Sequence, residues 1–569
     1  MLADLMQSVR GHPKGWEKYC QDNGLKQAVL PRSIIALYFR APFPLSNAAV
    51  FAGEMGVFCI GAREIIASCT PAAILSAMRV MLVYSNRSRI LEPVPPIGLS
   101  YVATATRRAG HEVRFVDLMV SRNHVADLHD ALAGFKPDVV GISVRNIDNV
   151  VSQSLAWHLG EVAPIIESVR NASRAHVVLG GPAISILKAD ALKRFDADFA
   201  VVGEGEKAFP RLLAAIAAGK GWAEIEGLCY REDGKVLYNE PVRESSFGAS
   251  GMEQWVDWRA YERGGGTWAV HTKRGCPLHC VFCNYPSMEG HSLRRRDARD
   301  VVDEIEHVRR TIGPRTFEFT DSTFNIPADH AVGICEEIIR RGLKANFSAV
   351  GMNPLGMTGE LMTLMRRAGF ISILISPDAA NETMLANLRK GFTMEDVRRS
   401  VRLARESGIP TTWFFLLGGP GETRETAEET IAFVENNLAW RKSMTIFMTG
   451  VRILPGTPLA KRATEEGVIQ PGCDLVKPTF YFSPQANEQW VLDRINRAIA
   501  RCPAIAHGAE ENGSPYERLF YSVLHRFGAA PPYWRFLSTF LSIPPLPALR
   551  ARHTGVRAIQ RGHQFETQN

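Results

Sequence analysis

Three cysteines fall within eight residues: Cys276, Cys280 and Cys283, in the run Arg-Gly-Cys-Pro-Leu-His-Cys-Val-Phe-Cys-Asn. Thiolates this close cannot all pair with one another as disulfides, but they can close around one iron–sulfur cluster. No fourth ligand stands at similar spacing, so one cluster iron would stay open, and an open metal position is where chemistry happens. A structural zinc site would want four ligands, usually as two separated pairs. His279 lies between two of the cysteines. Adjacent positions on so tight a loop rarely converge on one ion, and it reads as a solvent-facing loop histidine.

The spacing C-x3-C-x-aromatic-C, with Phe282 in the aromatic slot, resembles the signature of the radical S-adenosylmethionine (radical SAM) superfamily. The resemblance implies a [4Fe–4S] cluster on Cys276, Cys280 and Cys283, its open iron holding the amino and carboxylate groups of SAM. Further matches follow in the family's order. Thr320, Asp321 and Ser322 occupy the place of the Gly-Gly-Glu motif that receives the SAM amino group. Ser376-Pro-Asp378, followed by Leu385, Leu388 and Lys390-Gly391, matches the ribose motif. Asp378 takes the usual glutamate's place, and a carboxylate suits ribose hydroxyls. Gly418-Gly-Pro-Gly-Glu-Thr423 matches the Gly-x-Pro-Gly-Glu-Thr loop, which sets Gly418 and Gly419 at SAM, and Pro455-Gly-Thr457 matches its late counterpart.

These residues need elements to position them. Before the triad, short apolar runs at 79–84, 111–117, 138–143, 175–179 and 198–202 are separated mostly by helix-length segments. That alternation predicts a doubly wound, Rossmann-like parallel α/β domain over 78–225, with its ligand beyond the strands' C-terminal ends. A hairpin turning at Asp233-Gly234 and a linker with Trp255 and Trp258 fill 226–264. Strand candidates recur at 317–320, 345–348, 371–376, 412–417 and 443–448, with helices between. The resemblance implies a partial (β/α)6 TIM-like barrel over 265–465, with the site at its strand C-termini. Residues 466–569 read as a mainly helical C-terminal cap, and 1–77 as an unassigned extension.

Loop chemistry follows the first domain's strands: Ser143-Val-Arg145-Asn146, Gly180-Gly181-Pro182 and Gly203-Glu204-Gly205-Glu206. With Pro95-Pro-Ile-Gly-Leu99, they resemble the cobalamin-binding domain that precedes the barrel in one radical SAM subclass. Many cobalamin proteins place a histidine under cobalt from an Asp-x-His-x-x-Gly loop. Here the first loop reads Ser85-Asn-Arg-Ser-Arg-Ile, and Asp127-Leu-His129 lies after the second strand with Leu132 where glycine is needed. The resemblance then implies cobalamin with its own base displaced, no protein histidine on cobalt, and Arg145 and Asn146 at the lower face.

The chain has 569 residues, a net charge of +7 and 46% hydrophobic residues, which is ordinary for a soluble globular protein and makes no case for nucleic acid. Ten cysteines in this length are no disulfide framework. An oxygen-sensitive cluster fits a reducing cytoplasm. Residues 43–62 are apolar but interrupted by Glu54, and read as a partly buried helix rather than a membrane span. The family resemblance implies a methyltransferase that moves a methyl group from SAM, by way of methylcobalamin, to an unactivated carbon of a small molecule. An electron donor such as flavodoxin or ferredoxin would serve it. The alternatives are a non-methylating radical cyclisation, oxidation or rearrangement on the same cofactors, and a cobalamin-binding sensor or carrier with an inactive barrel. No acid or base can be chosen among Tyr285, Glu289 and His291.

Overall fold

The computed structural model describes residues 77–89, 92–508 and 515–537. The N-terminal extension with its stretch 43–62, the proline-rich run 541–546 and the basic stretch 550–561 lie outside the described residues.

The first apolar runs form β1 (Arg79–Tyr84), β2 (Glu112–Asp117), β3 (Val139–Ser143), β4 (His176–Gly180) and β5 (Phe199–Val201). They pair in parallel in the order β2-β1-β3-β4-β5. Alternate residues of β1 enter different cores: Val80, Leu82 and Tyr84 join one, Met81 and Val83 the other. A strand reads as a continuous apolar run when helices cover both faces of its sheet. This strand order reverses direction between β1 and β3, and the crevice beyond that switch point is where open α/β sheets bind ligands. The hairpin β6 (Leu228–Glu232) and β7 (Lys235–Tyr238) adds two antiparallel strands next to β5, so it belongs to this sheet rather than standing as a connector. Its turn needs positive φ at two successive residues, and Asp233 and Gly234 adopt +48° and +74°.

The linker tryptophans are packing residues. Trp255 stacks on Phe115 of β2, with centroids 6.0 Å apart, and Trp258 meets Trp268 edge-on at 5.1 Å.

The second sheet begins with β8 (Trp268–Val270). A short antiparallel pair, β9 (Lys273–Arg274) and β10 (Arg294–Arg295), then brackets the cysteine loop. There follow β11 (Phe317–Phe319), β12 (Phe347–Met352), β13 (Phe370–Asp378), β14 (Thr411–Leu417), β15 (Ser443–Thr449), the short antiparallel pair β16 (Val451–Arg452) and β17 (Phe480–Tyr481), and finally β18 (Ile505–His507). Strands β8, β11 to β15 and β18 pair in parallel, in the order β18-β15-β14-β13-β12-β11-β8. The last strand comes from the region read as a helical cap. Side chains alternate across the sheet. Phe317, Phe319, Phe347, Ile373 and Trp413 pack outward on helix residues such as Val301, Ile305, Ile334 and Ile338. Glu318, Ser348, Ser372 and Thr412 therefore face inward. Further round, Met444 and Ile446 of β15 pack against Trp534 and Leu537. Among the described residues, no helix is long and apolar enough to cross a membrane.

Candidate functional site

The C-terminal ends of the two sheets face each other. The loop after β3 sends Asp148 to Arg452 in β16, a pair 2.7 Å apart with both side chains buried. From the same loop, Ser152 Oγ donates to the Thr449 carbonyl at 2.5 Å, and Gln153 reaches the Thr449 hydroxyl. The loop after β5 sends Glu204 and Glu206 to Arg274, at 3.1 and 2.5 Å, and Glu204 also pairs with Arg294 at 2.5 Å. Arg274 stands two residues before Cys276, so the clamp holds the first domain directly against the base of the cysteine loop.

Within that loop Cys276 is buried and Cys280 and Cys283 are half-buried, all three as free thiols. The Cys276 amide donates to the Gly290 carbonyl at 3.0 Å. Burial raises all three thiol pKa values, and the Cys283 thiol is pushed up to about 12 by burial and then by its neighbours Cys280 and Cys276. Among the described residues, no three His, Cys, Asp or Glu side chains are spaced for one shared ion. An iron–sulfur cluster makes no such demand, because each thiolate binds its own iron and the metal draws off the proton. Three convergent thiols on one clasped loop therefore fit a cluster. His279 is exposed and stacks on His291, with centroids 4.5 Å apart.

Lys390 is the cation beside this loop. It is buried, ion-paired to Asp378 and 5.7 Å from the centre of the Phe282 ring. Burial alone would lower its pKa, but Asp378 and then Cys280 raise it, so the ammonium stays charged. Asp378 ends β13 with φ +65°. Asp321 is committed in the same way. Its carboxylate accepts from the Thr272 amide at 2.7 Å, the Thr272 hydroxyl at 2.5 Å and Lys273 Nζ at 3.0 Å. Burial would raise this carboxyl, yet Lys273 and Thr272 outweigh it and hold it below the usual range. Both aspartates assigned to SAM by resemblance thus have their carboxylates engaged by lysines of the barrel. What faces inward beside them is the Thr320 hydroxyl, buried without a partner, and the half-buried Ser376. Ser322 Oγ donates to Glu289 Oε2 at 2.6 Å, which also accepts from the Gly275 amide at 3.0 Å.

Glu422 folds back beneath the Gly418 and Gly419 amides, accepting from Gly419 at 3.1 Å and from Gly418. Burial pushes its carboxyl up to about 7 against those two bonds. Thr423 then caps the helix Arg424–Asn437 with a reciprocal box to Thr426. Gly418 has φ +91°, and a Cβ there would lie 2.5 Å from the Phe482 ring. Gly418→Ala should therefore cost about 1–3 kcal/mol through strain at this loop, measurable as a fall in urea midpoint at unchanged m-value.

In the first domain, the Ser143 carbonyl accepts from the Ser85 amide at 3.2 Å and the Ser85 hydroxyl at 2.9 Å, tying β1 and β3 together at the switch point. Arg145 and Asn146 are half-buried in the loop beyond. The Gly180 carbonyl accepts from the Val144 amide at 2.8 Å. Gly181, at φ +96°, packs so close that a Cβ would lie 2.6 Å from the Val144 carbonyl, and Pro182 opens the next helix. The Gly203 amide donates to Ser185 Oγ at 2.9 Å, and Gly205 opens the helix Gly205–Ala218. The carboxylates of Glu204 and Glu206, assigned to cobalamin by resemblance, also pair with the barrel arginines. Tyr285 was named in the sequence without a role. It is 48% exposed, yet burial pushes its phenol up to about 12, with Glu289 raising and Arg145 lowering it.

Residues 87–213 match the B12 binding domain and residues 270–434 match the Radical SAM superfamily. The chain belongs to the cobalamin-dependent radical SAM enzymes. This cobalamin-dependent radical SAM chain is 27% identical over 449 residues to tryptophan 2-C-methyltransferase of Streptomyces laurentii, covering 67% of this chain and 74% of that one. It is 28% identical over 369 residues to anaerobic magnesium-protoporphyrin IX monomethyl ester cyclase of Rubrivivax gelatinosus, covering 62% and 65%. Its fold superposes on radical S-adenosylmethionine methyltransferase TsrM from Kitasatospora setae, solved with tryptophan and a SAM analogue, with a TM-score of 0.71 and 26% identity over 82% of this chain and 99% of that one.

Proposed function

We propose that this enzyme transfers a methyl group from SAM, by way of cobalamin, to an unactivated carbon of a small molecule. The observation that carries this reading is the opposition of the two sheets' C-terminal ends, fixed by Arg274 with Glu204 and Glu206 on one side and Arg452 with Asp148 on the other. Cys276, Cys280 and Cys283 would hold the cluster. Thr320, Asp321, Ser322, Ser376, Asp378, Gly418 and Gly419 would surround SAM, with Phe282 at the cluster's flank. Ser143, Arg145, Asn146, Gly180, Gly181, Pro182, Gly203 and Gly205 would line the cobalamin crevice. The cofactors supply the one-electron cleavage of SAM and the methyl group. The protein's part is to hold the two centres against one cavity, keep Lys390 charged beside Cys280, and exclude water. A flavodoxin or ferredoxin in a reducing cytoplasm would supply the electron.

The test is anaerobic reconstitution with iron, sulfide and reduced cobalamin, followed by SAM labelled in its methyl group. S-adenosylhomocysteine formed only with cobalamin, and label in an acceptor molecule, is the expected result. Cleavage of SAM to 5′-deoxyadenosine without S-adenosylhomocysteine would replace this reading with the non-methylating one, for which the similarity to a cyclase speaks.

A further inference from the structure

The inward face of the barrel carries a polar patch that the cofactor site does not use. Glu318 of β11 accepts from Ser348 Oγ of β12 at 2.8 Å. Glu92, from the B12-domain loop between β1 and the helix Ile97–Arg108, reaches the same place. The Thr267 hydroxyl lies 2.9 Å from Glu92 Oε1 and 3.1 Å from Glu318 Oε2. A threonine hydroxyl has one proton to give. It can donate to one carboxylate, and the second contact is a hydrogen bond only when the other carboxyl carries a proton and donates in turn. The two carboxyls thus meet through one shared hydroxyl.

Nothing nearby offsets two negative charges. Among the described residues no Lys, Arg or His bears on either carboxyl, and the titratable group facing Glu92 from the helix Pro515–Arg526 is Tyr521. Thr267 and Ser348 are neutral. Ser372, the register partner of Ser348, is fully buried with its Oγ unpartnered, and Glu92 Oε2 is unpartnered as well. Glu318 is 6% exposed and Glu92 Oε2 is shielded from solvent, and two carboxyls sharing one hydroxyl there do not both ionise.

We propose that Glu92 and Glu318 bind one proton between them, and that this shared proton latches the β1 loop of the B12 domain to the barrel. The loop is tied to the switch-point crevice, because the Tyr84 phenol at the end of β1 donates to the Val94 carbonyl at 3.0 Å. Holding the latch shut thus holds one wall of the cobalamin crevice. Burial, and for Glu92 the neighbouring Glu318, raise both carboxyls above their ordinary values. The folded pair therefore keeps a proton that the unfolded chain releases. Stability falls as pH rises through the raised value.

The experiment compares thermal unfolding of the full chain with Glu318→Gln and, as a second variant, Glu92→Gln, from about pH 6 to about pH 9. Glutamine keeps the shape and supplies a fixed donor. The expected result is a wild-type Tm that falls by about 2–4 °C more than that of either variant over this range. Hydrogen exchange at the amides of Ser85–Arg89, Val94 and Ile97 should accelerate with pH, beyond its intrinsic rate, in the wild type alone. Equal pH slopes in all three proteins would overturn the proposal. So would a wild type stabilised at alkaline pH by sodium, potassium or calcium chloride while Glu318→Gln is not, since a cation would then hold both carboxylates.

Discussion

Cys280→Ala should abolish the iron–sulfur absorbance of the reconstituted protein, and SAM cleavage should fall by more than the 10–100-fold that loss of an outer-shell partner typically costs. Three thiols of one loop, bracketed by the β9–β10 pair, supply the protein ligands, and removing one leaves an iron without its anchor. Cys280 is half-buried, so the fold should survive: far-ultraviolet circular dichroism and the unfolding midpoint are expected to stay within error. Lys390→Met makes the contrast. It retains the three thiolates but leaves Asp378 buried without its cation. Iron content should hold, while SAM cleavage falls within that 10–100-fold range. Full iron–sulfur absorbance in Cys280→Ala would remove the triad from the cluster.

Arg452→Met should be the most destabilising single substitution among the charged groups between the two domains. Asp148 is 4% and Arg452 5% exposed, and breaking a buried pair by removing one partner costs about 3–5 kcal/mol. Arg452 also donates to the carbonyls of Leu475, Val476 and Thr479 at 3.1, 3.3 and 3.3 Å, which tie the segment after β16 to it. Urea unfolding measures the loss. Asp148→Leu in the same chain should restore part of it, because an apolar pair leaves no charge uncompensated. A loss below about 1 kcal/mol would mean that the pair is solvated and does not join the domains.

What the sequence revealed and what it hid divide along the range of the interactions. The triad, the Gly-Pro-Gly-Glu-Thr loop and the β1 and β3 runs are local patterns; the runs form strands, and the triad and the glycine loop land at strand ends. Glu204 and Glu206 carry no local mark of their partner, because Arg274 is some seventy residues away and the pair exists only once both sheets are folded. Their glycine-rich surroundings pointed to a ligand, and the charge also pairs with the barrel. Asp321 and Asp378 show a second limit. A carboxylate in a motif slot does not announce whether a buried lysine already holds it, and Lys273 and Lys390 do. Glu92 and Glu318 lie in two different domains and left no trace in composition. The linker tryptophans looked like punctuation because turns surround them, yet Trp258 is 5% exposed in the core. β18 is three residues long, too short for any periodicity to register.

That short strand decides where this catalytic module ends. β18 pairs with β15 from Thr445 to Phe447, and Trp534 and Leu537 cover Met444 and Ile446. A chain cut after residue 465 would keep every motif and still fail in practice. It would bare the row of amide and carbonyl groups along β15 beside uncovered methionine and isoleucine, and such an open sheet edge templates pairing with other chains. Grafting this barrel onto another scaffold therefore means carrying the chain through residue 537, so that the last strand seals the sheet against its own copies.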